Sequence, residues 1–234
     1  MPPPLKLESP EALPADLVTR LAPYQRLFRR HEYLDDVLDN NTVQGIAEEL
    51  DAHLQGQTIR GYHCTKEPFE GFFQERGLRL TDVLAHQAEF LSFFQDRFTQ
   101  EEIAEMRAVW TRHFVEGRQI ERRNGMVWAC LSRSLVKTEG TQVFFRYMGG
   151  ESIFMPLKRH LTIAGKLESI GQPVVVEIEV PGSEVRFPGV LAKHVLSLYH
   201  AGINPDAFVY PSETSMRQPV PPQAIIKVTP LSEF

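Results

Sequence analysis

The sequence predicts an α+β fold, with helices in its first half and in an insertion and a mostly antiparallel β-sheet carrying its second half. Three observations predict it. Apolar residues recur at helical spacing between Ala15 and Leu54, and again from 81 to 118. After Asn124-Gly125 the pattern shortens to strand-like runs rich in Val, Ile, Phe and Trp. Neither an internal repeat nor a low-complexity tract beyond a proline-rich start interrupts this order.

The elements follow in chain order. Residues 1–14 read as an extended lead-in without periodicity. Tyr24, Leu27, Phe28, His31, Leu34 and Leu38 fall on one helical stripe, so His31 is expected as a core histidine with a backbone partner. Ile46, Leu50 and Leu54 continue a second helix after the Asp39-Asn40-Asn41 break. Gln57–Thr65 reads as a strand. Glu67–Glu75 reads as a short helix with Phe69, Phe72 and Phe73 on one side and Gly77 ending it. In the helical segment 81–118, Thr99 and Glu102 fit a capping box, and Ile103, Met106, Trp110 and Phe114 form the apolar face behind it. Met126–Ser132, Thr141–Met148, Ser152–Met155 and Pro173–Val180 read as strands, Pro188–Tyr199 as a helix and Ala224–Val228 as a last strand.

The 234 residues are 42% hydrophobic and 24% charged, the composition of a globular protein long enough to bury a sizeable core. A net charge of −5 argues against a general nucleic-acid binder, which needs a basic footprint. Cys64 and Cys130 both sit in apolar strand-like runs and are expected to be reduced and buried, and no Cys or His spacing suits zinc, so no metal is expected. The N-terminus carries no apolar core of a secretory signal and no apolar run is long enough to span a bilayer. The expected location is cytoplasmic, or outside the cell by a non-Sec route, with no membrane partner.

Three stretches concentrate residues able to do chemistry: Gly61-Tyr62-His63-Cys64-Thr65 on a strand, Gly125–Ser132 with an aromatic and a terminal serine, and Phe145–Ser152, where Glu151 follows two glycines. Each has a plain alternative. His63 either bonds a backbone carbonyl or faces a ligand. Glu151 either flanks a Gly-Gly turn or projects into a site. Trp128 and Tyr147 either pack in the core or stack on a ligand, and Ser132 either simply ends its strand or orders a carboxylate. Arg118, Arg122 and Arg123 form a basic cluster that is either a phosphate contact or a solvated helix end.

YHCTKEPFEGFFQERGL, starting at Tyr62, resembles the opening strand and helix of the diphtheria-toxin-type ADP-ribosyltransferases, which carry His, Tyr and Glu motifs in that order. The resemblance covers the three motif strands and the helix after the first. It implies a split, mostly antiparallel sheet that binds NAD, with a lead-in and helical region at 1–56 and a transferase-like domain at 57–234 that takes a helical insertion at about 81–123. It gives His63, Cys64 and Thr65 to NAD binding, with His63 on the adenosine-side ribose and the Cys64 backbone on the nicotinamide amide. Glu151 becomes the catalytic carboxylate, Ser132 its orienting partner, and Trp128 or Tyr147 the face that stacks on nicotinamide. Cys64 and Trp128 depart from the family pattern.

Cleaving the nicotinamide–ribose bond passes through an oxocarbenium-like state, which a nearby carboxylate stabilises. An aromatic face over the cationic nicotinamide is favourable too. The resemblance therefore implies an NAD-consuming ADP-ribosyltransferase of toxin or effector type, with a macromolecular acceptor, protein or nucleic acid, and room for a neutralising partner. Gly149 stands where arginine-specific relatives carry a second acid, so arginine is not the expected acceptor. The alternatives are an NAD glycohydrolase on the same fold, a 2′-phosphotransferase acting on RNA, for which the chain shows few basic residues, and a non-enzymatic binding or adaptor protein.

Overall fold

A computed structural model describes residues 3–234. The helical start is broken into short pieces, α1 (Ala15–Leu21), α2 (Gln25–Arg30) and α3 (Leu34–Leu38), before the longer α4 (Asn41–Gln55). β1 (Thr58–Glu67) follows, then α5 (Phe72–Arg76), α6 (Val83–Phe94), α7 (Gln100–Trp110) and α8 (Ile120–Arg123). β2 (Val127–Cys130) leads to three consecutive helices, α9 (Glu139–Arg146), α10 (Gly150–Leu157) and α11 (Leu161–Ser169). β3 (Gln172–Pro181), α12 (Val190–Ile203), β4 (Glu213–Met216) and β5 (Ile225–Pro230) complete the chain.

The α+β class holds, with one open five-stranded antiparallel sheet in the order β4-β2-β1-β3-β5. β1 is central and pairs antiparallel with β2, Tyr62 opposite Cys130. β3 is a near-continuous apolar run, with Val174, Val175, Val176, Ile178 and Val180 all buried, as a strand covered on both faces requires.

Several local readings change. The lead-in is docked at Leu5, which bridges Ile59 in parallel, and Leu7 is buried. His31 is extended backbone at the end of α2, not a position on a helical stripe. The helix expected at Glu67 starts only at Phe72, because β1 runs on to Glu67. Gly77 does end it, with φ 68, and a Cβ there would meet the Val220 carbonyl oxygen at 2.1 Å. Cys130 is buried as expected, but Cys64 is only half-buried.

The largest correction is at 139–157. Thr141–Met148 and Ser152–Met155 read as strands, yet the segment forms α9 and α10. Its β-branched and aromatic residues also satisfy helical spacing: Thr141 and Phe145 are buried four apart, and Ile153 and Leu157 likewise. For short apolar runs both periods fit, and packing decides.

The chain divides into two compact units. The first takes Met1–Tyr62, Trp128–Val136 and Ile178–Met216. Within it α12 packs on α4, and His200 donates from Nε2 to the Phe28 carbonyl at 2.8 Å. The second takes His63–Val127, Lys137–Glu177 and Arg217–Phe234. Its core joins Val83 and Phe90 of α6, Met106 and Trp110 of α7, Ile153, Phe154 and Leu157 of α10, and Ile163 and Leu167 of α11. The expected capping box forms, Thr99 Oγ1 accepting from the Glu102 amide while Glu102 accepts from the Thr99 amide.

Lys66 is buried at the end of β1, where its ammonium donates to the carbonyls of Glu168 at 2.5 Å and Arg146 at 3.4 Å. Burial pulls it below the usual lysine range. No helix among the described residues is long and apolar enough to cross a membrane.

Candidate functional site

β1 carries the first motif as expected. Tyr62 is buried, while His63, Cys64 and Thr65 are each half-buried. The strand is held through its backbone, so these side chains are fixed by the pleat rather than by a loop.

Glu151 stands on a helix. It is the second residue of α10, behind Gly149 at φ 81. A Cβ on Gly149 would meet the Ile153 side chain at 2.2 Å, so the helix start itself explains this glycine, without the approach of a ribose. An acid in a first helical turn interacts favourably with the helix dipole. Its carboxylate also accepts from Arg123 Nη1 at 2.6 Å, both side chains being about one-third exposed. The basic cluster read from the sequence thus loses Arg123 to an internal ion pair.

The other expected site residues are distributed unevenly. Tyr147 stacks face to face on Phe154, centroids 3.7 Å apart and planes 4° from parallel, with the Arg146 guanidinium 5.1 Å from its ring. That ring is part of the second unit's packing. Ser132 is buried with its hydroxyl 3.2 Å from that of Ser134, a serine partner where the resemblance implies a carboxylate. Trp128 lies in the other unit and keeps 36% of its surface, next to Phe187, 41% exposed, with ring centroids 6.2 Å apart.

Sequence reading missed β4. Pro211 and Pro219 flank a polar stretch that reads as loop, although Thr214, Ser215 and Met216 are buried. The segment lies beside β2, fixed by the Leu131 amide donating to the Ser212 carbonyl at 2.7 Å. The Arg186 amide donates to Thr214 Oγ1 at 3.1 Å. Glu213 opens the strand and is exposed. One unit therefore gathers an exposed strand-borne carboxylate, two exposed aromatics on and near the neighbouring strand, and the Arg186 guanidinium, 5.9 Å from the Phe187 ring. No apolar alternation marks the segment in the sequence, and the two flanking prolines argue against a strand.

Among the described residues, no group of three or more His, Cys, Asp or Glu side chains is arranged to hold a metal ion. Set against protein-family models, curated proteins and solved structures, the chain gives no match in any of the three.

Proposed function

We propose that the chain is an NAD-consuming ADP-ribosyltransferase acting on a macromolecule, and that its reacting carboxylate is Glu213 rather than Glu151. The observation that carries this is the sheet order: the strand beside β2 begins with an exposed glutamate, whereas Glu151 is on a helix and closed on Arg123. A glutamate on a strand is what the resemblance implies for this chemistry.

Glu213 stabilises the ribosyl cation that forms as the bond from C1′ to the nicotinamide nitrogen breaks. The bonding pair leaves with nicotinamide. An acceptor nucleophile then closes on C1′ and gives up its proton. Trp128 and Phe187 offer aromatic faces to the nicotinamide cation before cleavage, and Arg186 offers a guanidinium to the pyrophosphate.

Release of nicotinamide from labelled NAD tests the reading. Glu213→Gln is expected to slow it by about 10²–10³, the usual cost of losing one transition-state electrostatic contact, while leaving an NAD-induced rise in melting temperature in place. An unchanged rate in Glu213→Gln, or no NAD response in the unaltered chain, overturns it. Label on a macromolecule identifies the transferase, and label in free ADP-ribose alone identifies a glycohydrolase at the same site.

A further inference from the structure

Beyond the NAD reading, and independent of it, the second unit holds a cavity that no motif announced. α7 does not simply end at Trp110. It widens into a π-helical turn, Thr111–Glu116, a geometry that re-aims side chains and recurs at functional sites. The turn closes at Gly117, where a Cβ would lie 2.4 Å from the His113 carbonyl oxygen.

This turn and the end of α10 border a cavity of about 380 Å³. Arg112 and His113 line it from the turn, and Arg159 and His160 from the link into α11. Gln119 adds an amide, and Val109 and Pro156 supply apolar surface. No lining residue is acidic, in a chain whose acids outnumber its Lys and Arg by 30 to 25. Glu105, outside the lining, holds His160 Nδ1 at 2.7 Å. α11 begins directly after His160, so its first amides add to the positive potential there.

Two arginines among the lining residues give the cavity a positive potential that an anion would neutralise. Arginine forks match the oxygens of phosphate in pairs, and the volume falls in the range of small-molecule sites. The geometry points to a binding site for a phosphate-bearing small molecule, held by Arg112 and Arg159 and bordered by His113, His160 and Gln119.

Inorganic pyrophosphate is the probe, titrated into the full chain at constant ionic strength with melting temperature and calorimetric heat as readouts. A saturable rise in melting temperature is expected, absent with acetate. Arg112→Gln and Arg159→Gln, both at exposed side chains, should each weaken the apparent affinity by at least about tenfold. Arg146→Gln, whose guanidinium pairs with Glu168 on other elements, should leave it unchanged. Gln119→Leu serves as a milder second probe should an arginine variant lose its fold, with weaker pyrophosphate binding expected. An acetate response equal to that of pyrophosphate, or unchanged affinity in the lining variants, overturns the site. The NAD response should persist in Arg112→Gln and Arg159→Gln, which separates this site from the NAD reading; its loss there together with the pyrophosphate response would instead make the cavity part of the NAD site and overturn its independence.

Discussion

Arg123 Nη1 and Glu151 Oε2 lie 2.6 Å apart, an ion pair that ties α8 to the first turn of α10. Its members are partly exposed, so the pair is worth no more than about 1 kcal/mol. Glu151→Gln is therefore expected to lower stability by about that amount in urea unfolding and to leave nicotinamide release intact. A loss of NAD cleavage by orders of magnitude in this variant would return the catalytic role to Glu151.

Gln87 compensates for a proline. Pro156 sits inside α10 and has no amide hydrogen for the Ser152 carbonyl four residues earlier. The Gln87 side chain donates to that carbonyl at 3.1 Å, both groups buried. Gln87→Leu should cost about 1–3 kcal/mol, the desolvation of an unpaired buried carbonyl. In a Pro156→Ala background the new amide supplies the missing donor, and the same change should cost clearly less. A double-mutant cycle reads the difference, and additive costs would refute the compensation.

His194 makes the first unit acid-sensitive. Its Nδ1–H donates to the Tyr210 carbonyl at 2.8 Å, and among the described residues its buried Nε2 has no hydrogen-bond partner. Burial holds the imidazole below the usual histidine range. Between that lowered value and about 6.5 the unfolded chain binds more protons than the folded one, so stability rises with pH across this window. The contribution is complete above the unfolded value and is lost as pH falls through the folded one. His194→Asn, which keeps a donor for Tyr210, should flatten that limb in urea midpoints measured across the window.

Tyr210 and Asp35 form a titrating pair. The Tyr210 hydroxyl donates to Asp35, which also holds Lys193 at 2.7 Å. Burial, and then this hydrogen bond to a carboxylate, push the phenol up to about 12, while Lys193 and Tyr210 hold the Asp35 carboxyl below its usual range. Ultraviolet titration should show a late phenol transition that moves down in Asp35→Asn and is lost in Tyr210→Phe. An unmoved late transition in Asp35→Asn would assign the shift to burial alone.

Local chemistry was legible wherever one residue type settles the geometry. Thr99 and Glu102 announced their capping box, Gly77 its helix end, and the apolar run at 173–180 its buried strand, because each rests on neighbours in the chain. At 141–157 the same residues satisfy both periods, and the core formed with α6, α7 and α11 selects the helix. Glu151 lost its strand for that reason.

By itself the sequence determined the α+β class, the central strand with His63 and the position of most helices, since hydrophobic period and capping act over a few residues. Only the tertiary structure decided which carboxylate shares the sheet with β2, which arginine is consumed in an ion pair and which two border a cavity. Those outcomes depend on pairings between residues tens of positions apart, such as Leu131 with Ser212 and Arg123 with Glu151, and no local pattern encodes them.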